Sequence, residues 1–237
     1  MKIIKLFTPN FEKKSRKNKD IKFIILHYTG MQSEIDSINW LKNKKSKVSC
    51  HYLINRKGKI FQLVKNNKVA WHAGKSRWKN FNNLNDHSIG IELVNKGHQF
   101  GYESFPKSQI QSLISLCKKL QKKFKIKKEN FLGHSDIAPF RKKDPGQKFP
   151  WKKLSKHKLG VWFQKKKLNI IFKKDKKSRN LFFKNLFNIG YRYFNAKRSF
   201  KKKDEYIIKA FQSRYNPKKV SGVIDQKTFE ISHFLQN

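Results

Sequence analysis

Acids and cysteines are scarce in this chain of 237 residues, which has 15 Asp and Glu against 57 Lys and Arg, and two Cys. The formal charge of +42 taken alone points to a polyanionic partner. Arginine is scarce as well, at 8 of the 57 basic residues, and arginine is the side chain that reads bases and phosphates bidentately. No specific nucleic-acid partner is therefore expected. The surplus of Lys, Asn, Ile and Phe has the pattern of a nucleotide bias, and electrostatic association with an anionic surface is the use the charge retains. Cys50 lies in a strand-like run and Cys117 on the apolar stripe of a helix, so both are expected as buried, reduced thiols. No apolar run approaches the roughly 18 residues that span a bilayer. The stretch from Met1 to Phe7 lacks the apolar core of a secretory signal, so a cytoplasmic location is expected, with the cell envelope as the alternative, and a monomer.

Elements alternate along the first two thirds of the chain. Residues 22–28 (Lys-Phe-Ile-Ile-Leu-His-Tyr) read as a buried strand, 33–43 as a helix, and 50–64 as a hairpin turning at Arg56-Lys57-Gly58-Lys59. Residues 88–94 and 130–133 are further strands. Ile110, Leu113, Ile114, Cys117, Leu120 and Phe124 recur at three- and four-residue steps and mark an amphipathic helix over 106–124. This alternation predicts an α/β fold with a mixed β-sheet flanked by helices. Past residue 155 the strand pattern stops, and lysine runs at 165–167, 173–177 and 201–203 separate three helices, 181–193, 205–215 and 226–235, the last capped by Asp225. The expected division is 1–155, a lysine-rich linker over 156–178, and a small three-helix domain over 179–237.

Two histidines and an aspartate stand out: His27 at a strand exit, His134 after a short strand, and Asp144 ten positions later. Two imidazoles and a carboxylate are the three protein ligands a catalytic zinc takes, leaving one position open. Spacing alone carries little weight. The words around these residues carry more: Leu26-His27-Tyr28-Thr29, Ser49-Cys50-His51-Tyr52-Leu53-Ile54, Ala70-Trp71-His72-Ala73-Gly74, Asn85 to Glu92, Gly133-His134-Ser135-Asp136-Ile137-Ala138-Pro139, and Arg141-Lys142-Lys143-Asp144-Pro145-Gly146. In that order, over about residues 20–155, they resemble the amidase-2 family of N-acetylmuramoyl-L-alanine amidases, which includes phage T7 lysozyme-like amidases and peptidoglycan recognition proteins.

The resemblance implies one catalytic Zn2+ on His27, His134 and Asp144, with Glu92 as general acid and base and Lys142 stabilising the oxyanion. It implies peptidoglycan or muropeptides as substrate. For His51 two roles stay open, orienting the metal site or filling the core, and for Trp71 and His72 lining the sugar or peptide cleft or packing inside. His87, His98 and His157 read as surface residues, and Asp136 as a loop-fixing acceptor in a turn. Cys50 and Phe140 depart from the family pattern, which commonly has a small residue and Gly there. Residues 207–215 and 222–228 resemble helices of the small peptidoglycan-binding domain often joined to these enzymes. A non-catalytic recognition protein keeps the cleft without needing a full ligand set, and the full set here favours the enzyme. The charge alone motivates the nucleic-acid alternative.

Overall fold

The computed structural model describes residues 2–164, 170–194 and 201–236. Its strands are β1 (Ile3–Lys5), β2 (Phe11–Ser15), β3 (Phe23–Tyr28), β4 (Tyr52–Ile54), β5 (Ile60–Gln62), β6 (Lys68–Ala70), β7 (Arg77–Trp78), β8 (Phe81–Asn82), β9 (Ser88–Leu93) and β10 (Phe131–Gly133). The α-helices are α1 (Glu34–Lys42), α2 (Lys107–Phe124), α3 (His134–Ile137), α4 (Trp151–Lys156), α5 (Lys176–Ile189), α6 (Asp204–Tyr215) and α7 (Gln226–Phe234). Six strands make a mixed sheet in the order β1-β5-β4-β9-β3-β10. Only β4 and β5 pair antiparallel within it. The helix-flanked mixed sheet expected from the alternation is what forms.

The pleat decides what faces the site. Side chains alternate between faces along a strand. Ile24 and Leu26 of β3, and Ile89, Ile91 and Leu93 of β9, join the core that also holds Ile110, Leu113 and Cys117 of α2. Phe23 and Ile25 belong to a second core on the opposite face. His27 therefore shares the face of Phe23 and Ile25, and Ser88, Gly90 and Glu92 share it from β9. In the parallel register His27 lies directly opposite Glu92. Strands β3, β9 and β10 are parallel, so their carboxyl ends share one edge, where open α/β sheets bind ligands.

Three C-terminal helices form, the first at Lys176–Ile189 rather than 181–193, and Asp175 accepts from Ser178 N and Asp225 from Thr228 N at the N-caps of the first and third. They do not stand apart from the sheet. Phe182, Leu186, Tyr191, Ile207 and Phe211 share one core with Phe23, Ile25 and Leu132. Gly190 packs so closely on Trp78 that a Cβ there would lie 2.4 Å from the indole. The expected linker over 156–178 is folded at both ends: Leu159 is in the α2 core, Trp162 packs against both cores, and α5 starts at Lys176. Lys165 to Lys167 lie outside the described residues. Asp136, expected to fix a loop, does accept from Gly133 N, but it also forms a buried ion pair with Arg214 of α6. Losing one member of such a pair costs about 3–5 kcal/mol, because the other charge is left buried alone. Both cysteines are free and buried.

Candidate metal centre and catalytic cleft

Three elements deliver the candidate ligands to one point. β3 brings His27, the first residue of α3 is His134, and the loop after α3 brings Asp144, whose carbonyl accepts from Ser135 N at 2.9 Å. The Nδ1 atoms of His27 and His134 are 3.0 Å apart, and Asp144 Oδ2 lies 2.9 Å from the first and 3.1 Å from the second. All three residues are buried. Ligands about 2.0–2.2 Å from a tetrahedral ion lie a little over 3 Å from one another, so the triangle fits one metal ion.

The surrounding hydrogen bonds set the tautomers. Ser88 Oγ donates to Leu84 O, so it accepts from His72 Nε2 at 3.1 Å. His72 Nδ1 is then a bare acceptor, and His27 Nε2 donates to it at 3.1 Å. The proton on His27 thus sits on Nε2 and the Nδ1 lone pair faces Asp144. His134 Nε2 donates to Ala73 O at 3.1 Å, which frees its Nδ1 in the same way. Arg141 donates to that carbonyl (2.8 Å) and to Lys75 O (2.9 Å), pinning the acceptor. An outer hydrogen bond of this kind orients a metal-binding imidazole.

Burial, with His134 beside it adding to the effect, pushes His27 down to about 4, so its ring is neutral near pH 7. Burial opposes ionisation of Asp144, yet the two imidazoles hold its carboxyl well below the usual carboxylate range. Glu92 is pushed up to about 8, first by burial and then by Asp144, with Lys142 opposing. Its Oε2 is buried with no protein hydrogen-bond partner. Two imidazoles with Nδ1 turned inward, an anionic carboxylate and a nearby orphaned oxygen are a donor set that suits a divalent cation and a polar ligand beside it.

These groups line a cleft of roughly 530 Å³, together with Tyr28, His98 and Lys142. The structure therefore brings together His27, His134, Asp144, Glu92, Lys142 and His72. His51 and Trp71 lie outside that lining. His51 is fully buried behind the ring of His72, accepts from Gly90 N at Nδ1, and sets Nε2 2.8 Å from Arg16 Nη2 and 3.1 Å from Lys68 O. Trp71 turns its Nε1 to Glu12 at 2.9 Å. Of the two histidines, His72 is the one that contacts a ligand imidazole, and both of its nitrogens are engaged.

His98 is exposed as expected but stands at the cleft mouth. It accepts from Tyr28 Oη at 2.8 Å, donates to Gln147 Oε1, and stacks on Tyr102, which donates to Pro145 O at 2.7 Å. That chain braces the loop following Asp144. Sequence reasoning passed over Tyr28, Ser88, Gly90, Tyr102 and Arg141. For Ser88 and Gly90 a signal existed, since period-two counting puts both on the face of Glu92.

Comparison with known proteins agrees with this geometry. The family model described as N-acetylmuramoyl-L-alanine amidase matches residues 17–147. The chain is 35% identical over 229 residues to N-acetylmuramoyl-L-alanine amidase AmiD of Escherichia coli, covering 91% of this chain and 82% of that protein. It is 34% identical over 164 residues to 1,6-anhydro-N-acetylmuramyl-L-alanine amidase AmpD of Haemophilus influenzae, covering 62% of this chain and 86% of that one. Among solved structures, AmiD from E. coli, in complex with anhydro-N-acetylmuramic acid-L-Ala-D-gamma-Glu-L-Lys, superposes with a TM-score of 0.79 at 32% identity, over 94% of this chain and 91% of that one. AmpDh3 from Pseudomonas aeruginosa, in complex with anhydromuramic pentapeptide, gives 0.78 at 28%, over 97% and 96%. No helix among the described residues is long and apolar enough to cross a membrane.

Proposed function

Because the chain belongs to the N-acetylmuramoyl-L-alanine amidase family, we propose that it hydrolyses the amide between N-acetylmuramic acid and L-alanine at a zinc ion held by His27, His134 and Asp144. The observation that carries the metal is the meeting of two Nδ1 lone pairs and one carboxylate oxygen within 3.1 Å of one another. A zinc ion so held supplies Lewis acidity, which polarises the amide carbonyl and makes water a competent nucleophile near neutral pH. Glu92, opposite His27 and with an unpartnered oxygen, takes the proton of the attacking water and delivers one to the departing alanine nitrogen. Lys142, on the cleft wall, places positive charge where the carbonyl oxygen becomes negative. His72 and Arg141 hold the two imidazoles in their ligand tautomers.

AmiD and AmpDh3 were solved with anhydromuramic peptides, which supports muropeptides as substrates, beside the polymeric peptidoglycan that the motif resemblance implies, in wall turnover or recycling. The C-terminal helices, residues 179–237, we read from their motif resemblance as a peptidoglycan-binding-like part that keeps the enzyme near its polymer. Mass spectrometry of products from purified sacculi and from soluble anhydromuropeptides tests the activity. Free stem peptides beginning at L-alanine are expected, and a chelator abolishes them until zinc is restored. Peptides still joined to the lactyl group after prolonged incubation with zinc sink the proposal.

A further inference from the structure

His134 opens a helix of four residues, α3, too short to fix its own position. Residues far along the chain bracket it. Arg214 of α6 donates through Nη2 to Phe131 O at 3.0 Å, on the strand before His134, and through Nη1 to Asp136 Oδ2, two residues after it. Tyr191, just past α5, donates its hydroxyl to Asp136 Oδ1 at 2.6 Å. Asp136 closes the bracket by accepting from Gly133 N at 2.8 Å. Both carboxylate oxygens are thus filled, and the Asp136 and Arg214 side chains are 1% and 3% exposed. The guanidinium lies 4.0 Å over the Trp151 ring, and that ring stands 3.4 Å from where a Cβ on Gly133 would be.

These bonds land on residues 131, 133 and 136 and leave the His134 ring to Ala73 and the ligand triangle. We propose that Arg214 and Tyr191 are positioning residues for the metal ligand His134, acting through Asp136. The C-terminal helices are in that case part of the frame of the metal centre. The proposal rests on the metal reading of His27, His134 and Asp144. Its physical basis is that three ligand atoms about 3 Å apart tolerate little displacement of any one, and outer-shell changes commonly weaken metal binding by about 10–100-fold.

A role confined to holding the helices on the sheet predicts lost thermal stability and unchanged zinc affinity. The test is zinc affinity by chelator competition on the full chain, with unfolding temperature measured alongside. Asn185→Ala serves as the control, since it breaks a 3.1 Å bond to Ser232 between α5 and α7 and leaves the turn at His134 untouched. Tyr191→Phe and Arg214→Gln are expected to weaken zinc binding about tenfold or more, Arg214→Lys to recover part of it, and Asn185→Ala to leave it unchanged. Should Arg214→Gln not fold, Tyr191→Phe, which removes one oxygen, carries the test. Wild-type affinity in both variants, or an equal loss in Asn185→Ala, overturns the proposal. A wild-type chain that binds no zinc overturns the metal reading and this proposal together, whereas a zinc-binding wild type with unaffected variants overturns this one alone.

Discussion

The ring of His72 stands directly behind the ring of His27, 3.1 Å from nitrogen to nitrogen, and determines which His27 nitrogen faces the cleft. The relay runs from Leu84 O through Ser88 Oγ, His72 and His27 to the ligand triangle. Each link has one donor and one acceptor, so fixing the first proton fixes the last.

His72→Phe keeps a ring in the space and removes the acceptor. His27 then loses the partner for Nε2–H, and its tautomer and tilt are no longer imposed. Zinc affinity is expected to fall about 10–100-fold with a modest change in stability, measured by dialysis against a graded zinc buffer. An unaltered affinity would show that the relay has no bearing on the metal.

Gly90→Ala tests the same relay by crowding. A Cβ at position 90 falls 2.4 Å from His72 Cγ, in a strand where neither ring nor backbone can retreat freely. Overpacking of this kind costs about 1–3 kcal/mol, visible in denaturant unfolding. The same variant is expected to weaken zinc binding, because the ring it displaces is the one that holds His27 Nε2. A stable variant with normal zinc content would mean that the ring moves aside without consequence.

The parts of this molecule that were legible in its sequence are those governed by local periodicity. The β3, β9 and α2 patterns announce themselves because burial repeats every second or every third and fourth residue, and His27 and Glu92 lie near the ends of two of those elements. Short elements were not legible: β1, β2 and the turn α3 hold three to five residues each, too few to show a period. His51 and His72 differ in surroundings although both are buried histidines in matched words, since only the tertiary packing decides which one reaches His27. The bond from Arg214 to Asp136 spans 78 residues, and nothing local to either residue announces the other.

Glu92→Gln separates catalysis from ligation. The substituted amide keeps the shape of the carboxyl, cannot take a proton from water, and is expected to lower turnover about 10²–10⁴-fold with zinc content unchanged. The metal-free protein gives a second readout. The Glu92 carboxyl is pushed up to about 8 by burial and Asp144, so between about 4.5 and 8 the folded chain holds a proton there that the unfolded chain has released, and the Glu92 contribution to stability declines as pH rises through that range. The metal-free variant is therefore expected to gain stability over wild type toward pH 8, and the gap to narrow toward pH 4.5. Full turnover in the variant removes Glu92 from the mechanism.

Acid should unfold the metal-free protein early, through its buried histidines. Burial and, secondarily, His134 push His27 down to about 4, while burial, with Arg16 or the neighbouring histidines added, holds His51 and His72 well below the usual range. In the unfolded chain each takes up a proton near pH 6.5. Between about pH 4.5 and 6.5 the unfolded state therefore binds up to three more protons through these rings, and Glu92 in the folded state offsets one of them. The balance of about two protons makes stability fall as pH falls, by up to about 2.7 kcal/mol per pH unit. Zinc binding should shift the acid transition to lower pH, because the ion competes with the proton for His27 and His134. Denaturant titrations of the metal-free and zinc-loaded chain at pH 5, 6 and 7 read both effects. A metal-free stability that stays flat over that range would show that these rings are not held neutral in the fold.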